Sequence, residues 1–233
     1  SSKKFKGKNL VSIFVNPKQF NEKKDFLNYP RNLNKDLKIL KQLKVDFVYL
    51  PDLKEIFSFR PSKKVFLDKF SRRLCGVYRK SHFNGVLNIV NRFLEIIKPK
   101  FIFLGMKDFQ QLKLISLHIL KRNISTKIIS CKTIREKNGI ACSSRNKNLN
   151  NNQLKIASNV YKYLKRKKLL LEKDLNNFNL FKFKKDLANL GVSKIDYLEL
   201  YNLKKLQKPK NKKENFNLFV AYYIEKVRLI DNF

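Results

Sequence analysis

Apolar positions fall into short blocks and into helical spacings, and the two alternate through the first part of the chain. Residues 10–15, 45–50, 101–104 and 127–130 are compact apolar runs bounded by polar or turn residues. They are too short for helices and predict buried strands. Between them, Leu33, Leu37, Leu40 and Leu43 share one face of a predicted helix. Val86, Ile89, Val90, Phe93 and Ile97 share one face of a second helix after Gly85, and a third should run over about residues 109–122. Strand alternating with helix predicts a parallel sheet covered on both sides. Ligands in such folds bind at the carboxyl ends of strands, so the loops after residues 15 and 104 matter most. These are Asn16-Pro17-Lys18-Gln19-Phe20 and Gly105-Met106-Lys107-Asp108-Phe109-Gln110-Gln111. Each sets several polar side chains at the lip of the sheet. The structural alternative is that Asn16-Pro17 makes a turn and Asp108 caps the next helix, and spacing alone does not separate the two.

Beyond residue 133 the pattern changes. Helices are predicted over about residues 152–169 and 177–190, followed by short strands near 196–200 and 217–223. The stretch Arg135-Glu136-Lys137-Asn138-Gly139, with Gly139 suited to a turn, reads as the hinge of a second, smaller domain. The domains expected are residues 1–133 and 134–233. Directly after the hinge, Ala141-Cys142-Ser143-Ser144-Arg145-Asn146 groups hydroxyl and guanidinium donors of the kind that bind phosphate. As a bare string it is a weak signal. The chain has no internal repeat.

Composition narrows the classes. The 233 residues include 20 Phe and 9 Tyr and are 43% hydrophobic, enough to bury a core in one large or two modest domains. Only 6 Gly and 6 Pro exclude collagen and linker classes. The longest apolar runs, such as residues 218–224, fall far short of the roughly 20 residues needed to cross a bilayer, so no membrane span is expected. The N-terminal SSKKFKGKNL has charge but no apolar stretch of a secretory signal. Three widely spaced Cys fit neither a disulfide framework nor a zinc site, and a cytoplasmic location is expected.

The net charge of +35 first suggests nucleic acid. The basic residues, however, are 42 Lys and only 11 Arg, spread along the chain. Readers of phosphate and base edges lean on Arg for bidentate contacts. An excess of Lys, Asn, Ile and Phe also matches AT-rich codons. A solvated Lys-rich surface is therefore the expectation, and a nucleic-acid-binding function the alternative it displaces. All six Gly are isolated, so no glycine-rich nucleotide motif exists. His82 and His118 lack companions at metal-ligand spacing. His118 reads as a packing or surface residue, and His82 as a helix-start or core-polar residue in preference to a general base.

Six strings taken together carry a resemblance: SIFVNPKQF (12–20), YPRNLNKDL (29–37), HFNGV (82–86), LGMKDFQQL (104–112), TIREKNGIACSSRN (133–146) and VRLIDN (227–232). In this order and spacing the chain resembles the pantothenate synthetase (pantoate beta-alanine ligase) family of the nucleotidylyltransferase superfamily. The resemblance implies an α/β fold: a Rossmann-like parallel-sheet domain, lacking its first strand and helix, plus a smaller α+β C-terminal domain. It implies ATP-dependent condensation of pantoate with beta-alanine through pantoyl adenylate, releasing pyrophosphate and AMP, with Mg2+, in the pathway to coenzyme A. It implies a homodimer; the apolar runs and the composition already argue against membrane and nucleic acid as partners. By position it implies that Asn16, Gln19 and Gln111 hold pantoate. Gly105 and Asp108 would meet the ribose, and Lys107 would reach the phosphates. Backbone near Ile134 and Cys142 would face the adenine, and Ser143, Ser144 and Arg145 would form a phosphate clamp. Asp36 is the candidate for the magnesium environment.

The chain departs from the family in lacking its HxGH motif, which neither His82 nor His118 replaces. The expectation is a fragment with unpaired strand edges and exposed apolar side chains. A catalytically incomplete or decayed homologue is the competing reading. Met106, Lys132 and Asn138 stand where the family usually has Glu, Pro and Asp, and Lys35 stands where some relatives carry an acid.

Overall fold

In the computed structural model, residues 5–17, 27 and 31–233 are described. The chain divides into two compact units, residues 1–105 with 110–131, and residues 106–109 with 132–233. The segment 106–109, which the sequence reading keeps in the first domain, joins the second unit.

The first unit alternates strand and helix as its apolar pattern predicts. Strand β1 (Leu10–Ser12) pairs in parallel with β2 (Phe47–Tyr49), and helix α1 (Leu33–Gln42) lies between them in sequence. Helix α2 (His82–Ile97) leads to β3 (Phe101–Gly105), and α3 (Phe109–Lys121) leads to β4 (Lys127–Cys131), which pairs in parallel with β3. Among the described residues these are two separate two-stranded pairs. The expectation that all four strands are buried is corrected, because none of their residues is buried. A pair only two strands wide leaves an uncovered edge on each strand. Leu10 and Phe47 are exposed, while the Phe5 ring covers Phe101 and Phe103 at 4.8 and 5.4 Å.

The core of this unit lies instead in the helices. Val86, Leu87, Ile89 and Leu94 of α2 and Leu112, Leu114, Ile115 and Ile119 of α3 are buried. Residues 51–81, which carry no clear period, form single turns at Leu53–Ile56, Lys69–Arg72 and Cys75–Tyr78. They add Ile56, Phe70 and Leu74 to the core.

His118 is fully buried in this unit. Its Nδ1 accepts from the Phe66 N–H at 3.1 Å, so Nε2 carries the proton and donates to Asn91 Oδ1 at 2.9 Å. Asn91 in turn donates to Lys63 O at 2.8 Å. Burial first, then the charge of Arg122, holds the imidazole pKa below its usual value, against Glu95.

The second unit is built on the antiparallel sheet β5 (Lys194–Asn202), β6 (Phe216–Ile224) and β7 (Val227–Asn232), with β6 in the middle. Helix α4 (Asn151–Lys173) begins with reciprocal capping between Asn150 and Gln153 and runs a turn beyond the predicted end. That extra turn buries Leu171. Helix α5 (Leu180–Asn189) contributes Phe183 and Leu187, and a single core gathers these with Leu164, Leu198, Leu218 and Val220.

Sequence reading misses β7. Its turn from β6 is Glu225-Lys226, with Glu225 at φ +49°, and the turn lacks the Asn-Gly or Gly signal that usually marks a hairpin. Upstream, Arg135 bridges Ala141 across a small hairpin whose turn is Gly139, at φ +89°.

These packing details carry two testable consequences. Because His118 has a depressed pKa when folded, the unfolded chain takes up its proton first as pH falls. Stability from the neutral ring is fully present above the ordinary pKa of about 6.5 and is lost as pH falls through the lower folded value. The urea midpoint should fall between pH 7.5 and pH 5.5. In His118→Asn, less stable at pH 7.5, that fall should be smaller; an equal fall would assign the effect elsewhere. At Gly139, a Cβ would lie 2.1 Å from the Tyr161 ring in a backbone conformation that disfavours side chains. Gly139→Ala should cost about 1–3 kcal/mol in denaturant unfolding.

Candidate active site

In the second unit, polar side chains line a cleft formed by Lys107, Ser143, Arg145, Asn146, Tyr161, Tyr222, Arg228 and Asp231. Two turns bring the first three together. Lys107 sits in the tight turn Met106–Asp108 that follows β3. Ser143 precedes the turn Ser144–Asn148, and its Oγ accepts from the Arg145 N–H at 3.3 Å. Strand β7 lies against both turns. Residues far apart in sequence are therefore backed by one strand.

Charge in the cleft is partly neutralised by the fold. Arg135 makes a bidentate pair with Asp231, at 2.6 Å from Nη1 and 2.9 Å from Nη2, and Nη1 also donates to Gly139 O. Its guanidinium stacks 4.6 Å from the Tyr161 ring centre. Burial opposes the Arg135 charge, but the hydrogen bonds and charge of Asp231 outweigh it and raise the pKa. Arg228 Nε donates to Asp196 at 2.8 Å. Burial, then the charge of Asp231, pushes the Tyr222 phenol up, so it stays protonated.

Lys107 is paired with the half-exposed Asp108 at 3.4 Å, in a geometry that solvent weakens. Lys107 and Arg145 are the cations that the two turns carry to the cleft. The enclosed space, about 20 Å³, has room for a single water, so ligand phosphates would lie on its rim.

The Asn146 amide donates to Glu136 Oε1 at 2.6 Å and to Ala141 O at 3.1 Å, tying the clamp turn to the hairpin before it. Ser144 is half-buried beside Ser143, and Asp108 lies next to Lys107. Ile134 and Cys142 are both exposed and face each other across the neck of the hairpin. The Cys142 N–H donates to Ile134 O at 2.9 Å. A backbone contact to adenine here would use other groups of the same neck.

The remaining sequence-derived residues belong to the first unit. Asn16 is buried, and its Nδ2 donates to Gly85 O at 3.0 Å, anchoring the loop after β1 to α2. A ligand contact from Asn16 would share the side chain with this anchor. Gln19 lies outside the described residues. Gly105 ends β3, and a Cβ there would meet nothing within 4 Å, so the strand end is open on that side.

The two side chains of the Gln110-Gln111 pair differ in their surroundings. Gln110 is buried, donates to Phe70 O and Arg73 O at 2.8 and 2.7 Å, and accepts from the Cys75 N–H at 3.1 Å. Gln110 is committed to the fold, so the half-buried Gln111 is the one that can turn to a ligand. His82 starts α2 and its Nε2 lies 3.1 Å from Arg79 Nη1, a core-polar role.

Asp36 is an exposed carboxylate in the first turn of α1. Among the described residues no three His, Cys, Asp or Glu gather as a metal site. This donor set does not fit a resident metal ion. No described helix is long and apolar enough to cross a membrane.

Sequence reasoning does not single out Arg135, Asp231, Tyr161 or Arg228 as part of this cleft. Arg135 is read there only as part of the hinge stretch, Arg228 and Asp231 fall in the string VRLIDN with no role attached to them, and Tyr161 carries no signal.

The family model described as pantoate-beta-alanine ligase matches residues 1–233. A pantothenate synthetase of Thermosipho africanus is 35% identical, over 96% of this chain and 81% of its own length. One from Buchnera aphidicola is 36% identical, over 99% of this chain and 82% of its own. Among solved structures, the Francisella tularensis pantoate-beta-alanine ligase complexed with beta-gamma ATP and beta-alanine superposes with a TM-score of 0.80. It is 37% identical and covers 99% of this chain and 80% of that one. Pantothenate synthetase from Thermus thermophilus gives a TM-score of 0.84 at 27% identity, over 96% of this chain and 82% of that one. Sequence and fold agree over nearly every residue: the chain belongs to the pantoate-beta-alanine ligase family.

Proposed function

We propose that this ligase joins pantoate to beta-alanine at the expense of ATP, through a pantoyl-adenylate intermediate, on the route to coenzyme A. The observation that carries the reading is the convergence of Lys107, Ser143 and Arg145 on one cleft. A carboxylate oxygen of pantoate attacks the α-phosphorus, and the bond to the bridging oxygen breaks as pyrophosphate leaves. The beta-alanine amine then attacks the acyl carbon, loses a proton, and AMP departs with the bonding electrons.

Negative charge grows on the leaving oxygens in the first step. Lys107 Nζ and the Arg145 guanidinium answer it with charge, and Ser143 and Ser144 with hydroxyl donors. Because the two cations are held by separate turns on one strand, they are placed before the charge develops, which is how positioning lowers a barrier. Gly105 leaves room for a ribose to approach the end of β3, with Asp108 one turn away in sequence. Gln111 and Asn16 are uncharged, which suits pantoate. A direct cation would draw density from the attacking carboxylate. Magnesium would travel with the phosphates of ATP, since Mg2+ keeps waters and needs few protein ligands. The same reading extends to a homodimer.

A second reading, in which the chain binds substrates without completing the reaction, is favoured by one observation. Both histidines of the chain are engaged in structural hydrogen bonds, His82 with Arg79 and His118 with Phe66 and Asn91. Neither supplies the paired imidazoles that the family resemblance calls for.

The deciding measurement is AMP release from ATP with magnesium, with and without each substrate. Release that requires both pantoate and beta-alanine is expected, and Lys107→Ala or Arg145→Ala should lower kcat by about 10²–10³. No release from a folded chain that binds ATP would establish the second reading. Unchanged rates in both variants would remove the cleft from the chemistry.

A further inference from the structure

We propose that Asn232, at the end of β7, is the residue that positions Lys107 for its phosphate contact. The inference rests on the role given to Lys107 above. Asn232 Nδ2 donates to the carbonyl oxygens of both Met106 and Lys107, each at 3.0 Å. One amide nitrogen with two hydrogens thus bridges the carbonyls on either side of the Lys107 Cα. This fixes the peptide orientations that aim the lysine side chain. The Asn232 side chain is buried, so these bonds are little contested by water.

The preceding residue fixes the other half of the cradle. Asp231 Oδ2 and Oδ1 hold Arg135, whose Nη1 also grips Gly139 O in the hairpin that leads into Ser143 and Arg145. The Asp231 carboxylate also accepts from the Asn232 backbone N–H at 2.8 Å. Adjacent residues on one strand therefore anchor the lysine turn and the clamp hairpin, and set their separation. An Asp at position 232 would point oxygens at two carbonyls. A Ser would keep a single hydrogen for two acceptors. Only an amide of this reach satisfies both carbonyls. Neither residue needs to touch substrate, and both are positioning residues.

A double-mutant cycle tests the assignment, with pyrophosphate affinity measured by calorimetry on the 233-residue chain. Parent, Lys107→Ala, Asn232→Ala and the double variant are compared, with circular dichroism melts to check folding. Lys107→Ala should weaken pyrophosphate binding, and Asn232→Ala should weaken it about three- to tenfold. In the Lys107→Ala background, Asn232→Ala should add nothing, because its effect passes through the lysine. Asn232→Ser should fall between parent and Asn232→Ala, and it serves in place of the alanine variant if that one does not fold. If Lys107→Ala weakens binding while Asn232→Ala leaves it unchanged, or adds its full effect in the double variant, the inference is overturned. If Lys107→Ala binds as the parent does, the reading of the lysine itself fails, and the positioning role falls with it.

Discussion

The ion pair between Arg135 and Asp231 joins residues 96 apart in sequence, and the geometry of the second unit's cleft hangs on it. The two side chains are 22% and 10% exposed, so their charges are largely removed from water. A pair at such depth gives little net stability, because desolvation offsets much of the attraction; breaking it strands a charge and is costly. Its contribution is register. Two parallel hydrogen bonds allow one relative position of the hairpin and of β7, and the Arg135 guanidinium also lies 4.6 and 5.5 Å from the Tyr161 and Phe233 ring centres.

That constraint separates two kinds of positive charge in the second unit. Most of the chain's lysines are solvated, and ion pairs such as Lys8–Asp46, with Lys8 76% exposed, contribute little. Arg228 in the cleft and Arg135 behind Asp231 are neutralised by Asp196 and Asp231 and serve as struts. Lys107 and Arg145 are carried by backbone turns. Rigid cations in a partly enclosed space act on a phosphate more strongly than a larger number of mobile surface lysines.

The first unit is organised on a different principle. Its parallel pairs are thinly covered, and its interior is a helix–helix core tied by buried polar side chains. Gln110 saturates three backbone groups, and His118 and Asn91 form a continuous relay to Lys63 O. Each such group is inexpensive while every partner is met and costly when one is lost.

The sequence by itself determined which segments become strands and helices. Apolar periodicity is a local property, and β3, β4 and α3 appear within a residue or two of where it places them, while α2 begins at His82, about a turn before the start read after Gly85. Six ordered strings are also enough to indicate the family. The failures share a cause. Strand β7 escapes because its turn carries no glycine or asparagine. The strands of the first unit are expected to be buried, yet an apolar run says nothing about how many neighbours will cover it. Gln110 and Gln111 are the same residue type at adjacent positions, and only packing decides which is consumed by the fold. Arg135, Asp231 and Asn232 gain their roles from partners about a hundred residues away. Side-chain hydrogen bonds over such separations have no periodic trace in the sequence, so tertiary structure alone could assign them.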